Sequence, residues 1–136
     1  MQVLVIDTNI VLDVFVFKDA AALPVRKGLE EGTLRWIATQ AMRDELERVL
    51  AYPQILPRLA FYELTAAQVL ESFDKYSQRV EAATKAPVTC KDPDDQRFID
   101  LAVTHEATLL SKDRAVLSMK KRLAALGADA ARGLTA

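Results

Sequence analysis

The chain has 136 residues, of which 51% are hydrophobic and 27% are charged, and its formal net charge is −1. This composition is typical of an ordinary globular protein, and we predict a single domain over residues 1–136. A general coat protein for nucleic acid would be basic, so the charge argues against that class but not against an enzyme that handles nucleic acid locally.

Membrane insertion and disulfide bonding are not expected. No apolar run approaches the length of a membrane span, and no basic segment followed by an apolar one marks the N-terminus. Cys90 is the only cysteine, which excludes a disulfide framework and a thiolate zinc site. A reducing, cytoplasmic setting is the expectation.

The first predicted element is a strand in "VLVIDTNIV", residues 3–11. Val3 to Ile6 form an unalternated, mostly β-branched run, which indicates a strand covered on both faces, as in a parallel sheet. Asp7 follows this run directly. Ligands bind at the carboxyl ends of such strands, so Asp7 is a candidate site residue; the alternative is that Asp7 only caps the next helix.

The remaining elements alternate between helices and strands. Thr39, Thr65 and Asp92 are predicted helix caps, with Pro93 at a first helical position. In chain order we predict helices at 10–17 and 20–31, a strand at 34–38, helices at 40–50 and 64–83, a strand at 86–90, a helix at 92–107, a strand at 108–111 and a final Lys-rich helix. This alternation predicts an α/β fold: a three-layer sandwich with a central, mainly parallel sheet of four or five strands and helices on both faces.

Three further acids stand at positions that a folding argument does not require. Glu45 lies at the border of the apolar face of its helix, where the alternative is a solvated residue. Asp95 begins the inward face of the helix after Asp92, where the alternative is a first-turn acid that, with Asp92, resembles a capping box. Asp113 follows the strand 108–111 and repeats the position of Asp7.

If these four carboxylates meet, their repulsion requires a cation. Ligand sets made only of oxygen suit Mg²⁺ or Mn²⁺. A hard metal ion among acids can polarise a phosphoryl oxygen and activate water, so the chemistry implied is hydrolysis of a phosphate ester.

Four segments, in this order, resemble the PIN-domain nucleases: "VIDTNIVL", "DELERVL", "CKDPDDQRFIDLA" and "LLSKD". The resemblance covers roughly residues 3–117 and is closest to the (VapC-like) toxin components of bacterial toxin–antitoxin pairs. It implies a Mg²⁺- or Mn²⁺-dependent endoribonuclease that cleaves RNA, with an antitoxin protein and a homodimer as possible partners. A partner could silence the site by inserting an Arg among the carboxylates.

Matched residue by residue, the resemblance implies that Asp7, Glu45, Asp95 and Asp113 are the metal-binding and catalytic acids. Ser111 matches the hydroxyl of the last motif, and Asn9 matches a polar position that orients the first acid. Asp92 is expected to support the cluster from outside. The family usually adds a short strand after the last acid, whereas residues 119–136 show no clear one.

Basic residues near the acidic motifs are candidates for binding the RNA backbone. They are Lys91, Arg97, Lys112, Arg114 and the run Lys120, Lys121 and Arg122. Contacts to phosphate would make the affinity for RNA fall steeply with salt. The alternative, strongest for the run at 120–122, is that these are solvated helix charges.

Other phosphate-handling and hydrolytic classes fit poorly. A phosphatase of the haloacid dehalogenase type needs an Asp where Asn9 stands, and a response-regulator receiver needs an acidic pair after its first strand. The four glycines do not cluster into a phosphate-binding loop. A Ser-His-Asp hydrolase would have to use His105, but the sequence contains no Gly-x-Ser-x-Gly motif. The alternative kept is a non-catalytic PIN-like module that binds RNA or regulates.

Overall fold

The computed structural model describes residues 1–134 and contains one five-stranded sheet. The strands are β1 (Gln2–Ile6), β2 (Leu34–Ala38), β3 (Ser77–Arg79), β4 (Thr108–Leu110) and β5 (Asp129–Ala131). The helices are α1 (Thr8–Phe15), α2 (Leu23–Glu31), α3 (Gln40–Leu50), α4 (Leu56–Phe61), α5 (Ala66–Tyr76), α6 (Gln96–His105), α7 (Arg114–Leu117) and α8 (Lys120–Ala124).

The sheet is parallel throughout and has the strand order β3-β2-β1-β4-β5. The chain winds outward from β1 through β2 to β3, then returns to the other side of β1 for β4 and β5. Because parallel crossovers are right-handed, this reversal puts the two groups of connecting helices on opposite faces. The prediction of an α/β sandwich with a parallel sheet is confirmed.

Both faces of the central strand are covered. Leu4, Val5 and Ile6 are consecutive, so their side chains point to alternate faces, and all three are buried. On one face Trp36 stacks on Phe15, with ring centroids 5.9 Å apart. The unalternated apolar run of β1 is thus explained by burial between two helical layers.

The third strand is not where the sequence predicts it. Residues 86–90 form no strand, whereas β3 lies inside the predicted helix 64–83. Ser77 ends α5 by donating its hydroxyl to the carbonyl of Phe73 at 2.6 Å. Residues 86–90 instead bond to side chains, since Asp100 accepts from the Ala86 amide and Gln96 from the Cys90 amide.

The C-terminal part also differs from the prediction. The single Lys-rich helix is divided into α7 and α8, and a fifth strand follows them. Ala130, at the centre of β5, is fully buried, and the Ser111 amide donates to the Ala131 carbonyl at 3.0 Å. Alanine has low strand propensity, which is why the sequence pattern did not reveal this strand.

The helix caps follow the sequence closely. The hydroxyls of Thr39 and Thr65 accept the amides of Met42 and Gln68. Helix α4, which the sequence analysis did not predict, has Pro57 in its first turn. Within residues 1–134, no helix is long and apolar enough to cross a membrane.

Candidate active site

The winding reversal creates a crevice at the carboxyl ends of β1 and β4. These strands are neighbours in the sheet, but their outgoing connections run to opposite faces, which is the usual place for a ligand in an open α/β sheet. Asp7 follows β1 directly and Asp113 lies three residues after β4. Both acids therefore stand at this edge.

Ser111 joins the two strand ends. Its hydroxyl donates to Asp7 Oδ2 at 2.6 Å and accepts the Asp113 amide at 3.0 Å. Asp7 occupies the N-cap position of α1, but its side chain makes no capping hydrogen bond. The interpretation of Asp7 as only a helix cap is therefore wrong, because its carboxylate accepts the hydroxyl of Ser111, just after β4.

Three acids can offer oxygens to one ion. Asp92, Asp95 and Asp113 each have a carboxylate oxygen, and these oxygens all lie within 4.8 Å of one another. Asp113 also caps α7, accepting the Ala115 amide at 2.9 Å. Asp92, expected only to support the site, thus lies within reach of the same ion as the other two acids. We call Asp7, Asp92, Asp95 and Asp113 the acidic cluster.

Asp95 has the most strongly perturbed pKa of these four acids. It is only 7% exposed, and its Oδ2 is buried without a hydrogen-bond partner among residues 1–134. The capping box expected with Asp92 does not form, since Asp92 accepts the Asp94 amide and Asp95 caps nothing. Burial, followed by the neighbouring carboxylates of Asp113, Asp7 and Asp92, raises the pKa of Asp95 to about 8.

Asp7 is perturbed in the same direction. Burial is the main cause that raises its pKa, and the charges of Glu45 and Asp113 add to it. The Ser111 hydroxyl opposes this rise because it hydrogen-bonds the ionised form. Two acids of the cluster therefore resist ionisation unless a cation compensates them.

Glu45 faces the cluster from α3. It is half-buried, whereas its neighbours Asp44 and Glu47 are exposed, so it lies at the border of the apolar face. Thr8, in the first turn of α1, donates its hydroxyl to Glu45 Oε2 and thereby ties the two helices together. Asn9 is half-buried beside Asp7 in sequence, and its Oδ1 is buried without a hydrogen-bond partner.

The candidate RNA-binding cations divide into two groups. Lys112 is paired with the buried Asp13, with 2.7 Å between Nζ and Oδ2, and Lys120 is paired with Asp129 at 2.6 Å. In residues 1–134 no ion pair involves Lys91, Arg97, Arg114, Lys121 or Arg122. Lys91 and Arg114 are exposed and Arg97 is half-buried.

Two residues at the site were missed by the sequence analysis as contributors. Thr8 was treated only as part of the first motif, although a hydroxyl just after a strand-end acid is well placed to bond a second acid. Asp13 was noticed only as the one charge of an apolar helix, and that isolation is itself the signal that it has a buried partner.

The donor set fits a hard divalent cation. All the side-chain donors are oxygens, three of them lie within reach of one ion, and a buried Asp95 oxygen has no partner from the protein. A cation would remove the burial cost that Asp95 and Asp7 carry. Neutral ligands such as histidine are absent from this set.

Comparison with known families agrees with this geometry. The family model described as PIN domain matches residues 3–115. The matched range begins at β1 and extends past Asp113, so it includes the whole acidic cluster and Glu45. None of the curated proteins matches the chain.

Proposed function

The chain belongs to the PIN domain family, whose members are generally nucleases, and from this premise we propose that it is a Mg²⁺- or Mn²⁺-dependent endoribonuclease. The observation that carries the proposal is the acidic cluster. Oxygens of three of its carboxylates lie within 4.8 Å of one another, and a buried Asp95 oxygen has no hydrogen-bond partner within residues 1–134. RNA as the substrate and a toxin role come from the resemblance to toxin components.

In this proposal Asp92, Asp95 and Asp113 hold the metal ion, together with Asp7. When bound, the ion supplies Lewis-acid stabilisation of the phosphoryl oxygens and makes water acidic enough to be a nucleophile. Asp95 must lose its proton for the ion to bind, because its pKa lies near 8 without a cation. Metal affinity should therefore rise with pH.

Glu45 is the residue that we assign to orienting, or accepting a proton from, the attacking water. Its Oε2 accepts the Thr8 hydroxyl, which fixes the carboxylate. Ser111 links the Asp7 carboxylate to the Asp113 backbone, which favours one orientation of the Asp7 side chain. Such fixed placement is what positions a water for attack on phosphorus.

A partner protein that restrains the activity is the second part of the proposal. The cluster has four carboxylates, and in residues 1–134 no ion pair supplies any of them with a cation from the protein. A guanidinium from a partner would pair with two carboxylates at once and compete with the metal ion. The expected result is inhibition that added Mn²⁺ partly relieves.

The test is cleavage of a mixed RNA pool by the purified protein with Mn²⁺, with Mg²⁺ and with EDTA. Asp7→Asn, prepared in the same way, controls for a contaminating nuclease. We expect internal cleavage with either metal, no cleavage in EDTA, and a loss in the variant. Cleavage that persists in EDTA and in Asp7→Asn would contradict the proposal, and no cleavage with any metal would favour the non-catalytic module.

A further inference from the structure

A buried acid lies outside the acidic cluster. Asp13, on α1, is 6% exposed, and its Oδ2 lies 2.7 Å from Lys112 Nζ. A carboxylate buried in an apolar helix costs free energy unless a cation compensates it. Lys112 supplies that charge while remaining half-exposed itself.

Lys112 stands between two residues of the site. Ser111 is bonded to Asp7, and the Asp113 amide is bonded to Ser111. With the ion pair from Lys112 to Asp13, the three consecutive residues 111–113 are each held by a side-chain interaction. Two of these interactions end on Asp7, between β1 and α1, and on Asp13 of α1, so this segment is fixed against the part of the chain that carries Asp7.

We propose that Asp13 is a positioning residue: through its ion pair with Lys112 it fixes the segment 111–113, and with it the place of Asp113 beside Asp92 and Asp95. The inference rests on the proposed metal site. It assigns Lys112 to holding the site together instead of to binding RNA phosphates. Residues that hydrogen-bond a metal ligand typically contribute about 10- to 100-fold in metal affinity, and we expect Asp13, which acts through the residue next to Asp113, to fall within this range.

The two roles considered for Lys112, binding phosphate and positioning Asp113, predict different effects of removing Asp13. If Lys112 binds phosphate, removing Asp13 frees the cation and leaves RNA binding unchanged or stronger. If Lys112 positions Asp113, removing either partner has the same effect, and removing both adds little. A double-mutant cycle therefore separates the roles.

The variants are Asp13→Asn, Lys112→Met, the double variant, and Lys112→Arg, which keeps a cation at this position. Lys120→Met is the matched control, since Lys120 forms an ion pair of similar length with Asp129 away from the cluster. The readouts are Mn²⁺ affinity by calorimetry, thermal unfolding in EDTA, binding of poly(U) in EDTA at two salt concentrations, and kcat on an RNA that the wild type cleaves.

We expect Asp13→Asn and Lys112→Met each to weaken Mn²⁺ binding by about 10- to 100-fold. The double variant should be no weaker than the worse single variant, and Lys112→Arg should restore most of the affinity. Binding of poly(U) and its salt dependence should not change in any of them. Lys120→Met should bind Mn²⁺ as the wild type does.

Unchanged Mn²⁺ affinity in Lys112→Met, or losses that add in the double variant, would overturn the inference. So would weaker poly(U) binding with a smaller salt slope in Lys112→Met alone. If Asp13→Asn does not fold, the Mn²⁺ affinities of Lys112→Met and Lys112→Arg still test the inference. Both variants should fold, because Lys112 is half-exposed. If the wild type binds Mn²⁺ but cleaves no RNA, the proposed function fails while the calorimetric cycle still tests Asp13.

Discussion

The acid Asp74, on α5, and the acidic cluster at the ends of β1 and β4 have opposite electrostatic surroundings. Near β3, the carboxylate of the half-exposed Asp74 accepts two hydrogen bonds from the Arg43 guanidinium, at 2.8 and 2.9 Å. It accepts a third from Arg79 at 2.9 Å. The hydrogen bond from Arg43 is the main cause that lowers the pKa of Asp74. At the β1–β4 crevice, Asp95 is buried, has an oxygen with no partner, and has a raised pKa.

The difference shows which acids serve the fold. Where a carboxylate stabilises the structure, this chain supplies the cation from a neighbouring element, as it does for Asp74 and for Asp13. In the acidic cluster, the neighbours of Asp95 are other carboxylates instead. A fold that keeps such a cluster carries a cost in stability, which is expected of a site selected for binding a cation.

The largest effect that should separate the two groups is on RNA cleavage. Asp95→Asn keeps the size of the side chain but removes a proposed metal ligand, so cleavage should fall by about 100-fold or more, equivalent to about 2.7 kcal/mol. Asp74→Asn should cleave RNA like the wild type. Rates measured with Mn²⁺ for both variants test this, and equal losses in the two would remove the distinction between the groups.

The second effect is on stability without metal. Because the pKa of Asp95 rises from 3.8 to about 8 on folding, the folded state binds more protons than the unfolded state between these values. Stability in EDTA should therefore fall as pH rises from about 4 to 8, with a slope of at most about 1.4 kcal/mol per pH unit. Urea unfolding at pH 5, 7 and 9 measures it.

Asp95→Asn is the control for that slope. The stability of this variant should depend less on pH than that of the wild type over the same range. At pH 8 in EDTA the variant should be the more stable protein. Asp74→Asn should keep the slope of the wild type, because Asp74 titrates below this range. A wild type whose stability rises across this range would contradict the assignment.

A smaller effect is expected at Ser111. Ser111→Ala removes the donor to Asp7 and the acceptor of the Asp113 amide, so the strand ends lose a shared partner. We expect cleavage to fall by about 10-fold and stability by about 1 kcal/mol. Ser118→Ala, which removes a local hydroxyl bond on the surface, is the control. A Ser111→Ala variant with full activity would show that the bridge does not order the acids.

The smallest effect concerns the cations that lack ion pairs in residues 1–134. Arg114→Gln should weaken RNA binding only at low salt and reduce the slope of log affinity against log salt by about 0.7, the value for one phosphate contact on a single strand. Fluorescence titrations with labelled RNA in EDTA measure this slope. Lys27→Gln, on the surface of α2, should leave the slope unchanged.

The sequence predicted most of the fold because its strongest patterns are local. The β-branched run before Asp7, the Thr caps and the Gly at the end of α2 each act within a few residues. The strands β3 and β5 were missed because each has three residues and little apolar pattern of its own. Their pairing depends on β2 and β4, which no local window contains.

The candidate site was predicted in part for the same reason. Acids that follow strands or begin an inward helix face stand out along the chain, so Asp7, Asp95 and Asp113 could be named. That Asp92 lies within 4.8 Å of Asp95 and Asp113 depends on a turn of 3₁₀ helix, Pro93–Asp95, which forms in place of the alternative capping box. The pairing of Lys112 with Asp13 joins positions about a hundred residues apart, so the isolated charge of Asp13 indicates a partner but does not identify Lys112.

Mn²⁺ binding is the measurement that tests the central claim most directly, namely that the acidic cluster has no ion-pair partner within residues 1–134 because it takes a metal ion. Calorimetric titration at pH 8 should show that the wild type and Asp74→Asn bind Mn²⁺ with equal affinity, and that Asp95→Asn binds it at least about 10-fold more weakly. A wild type that binds no Mn²⁺, or an Asp95→Asn variant that binds it as tightly as the wild type, would contradict the account.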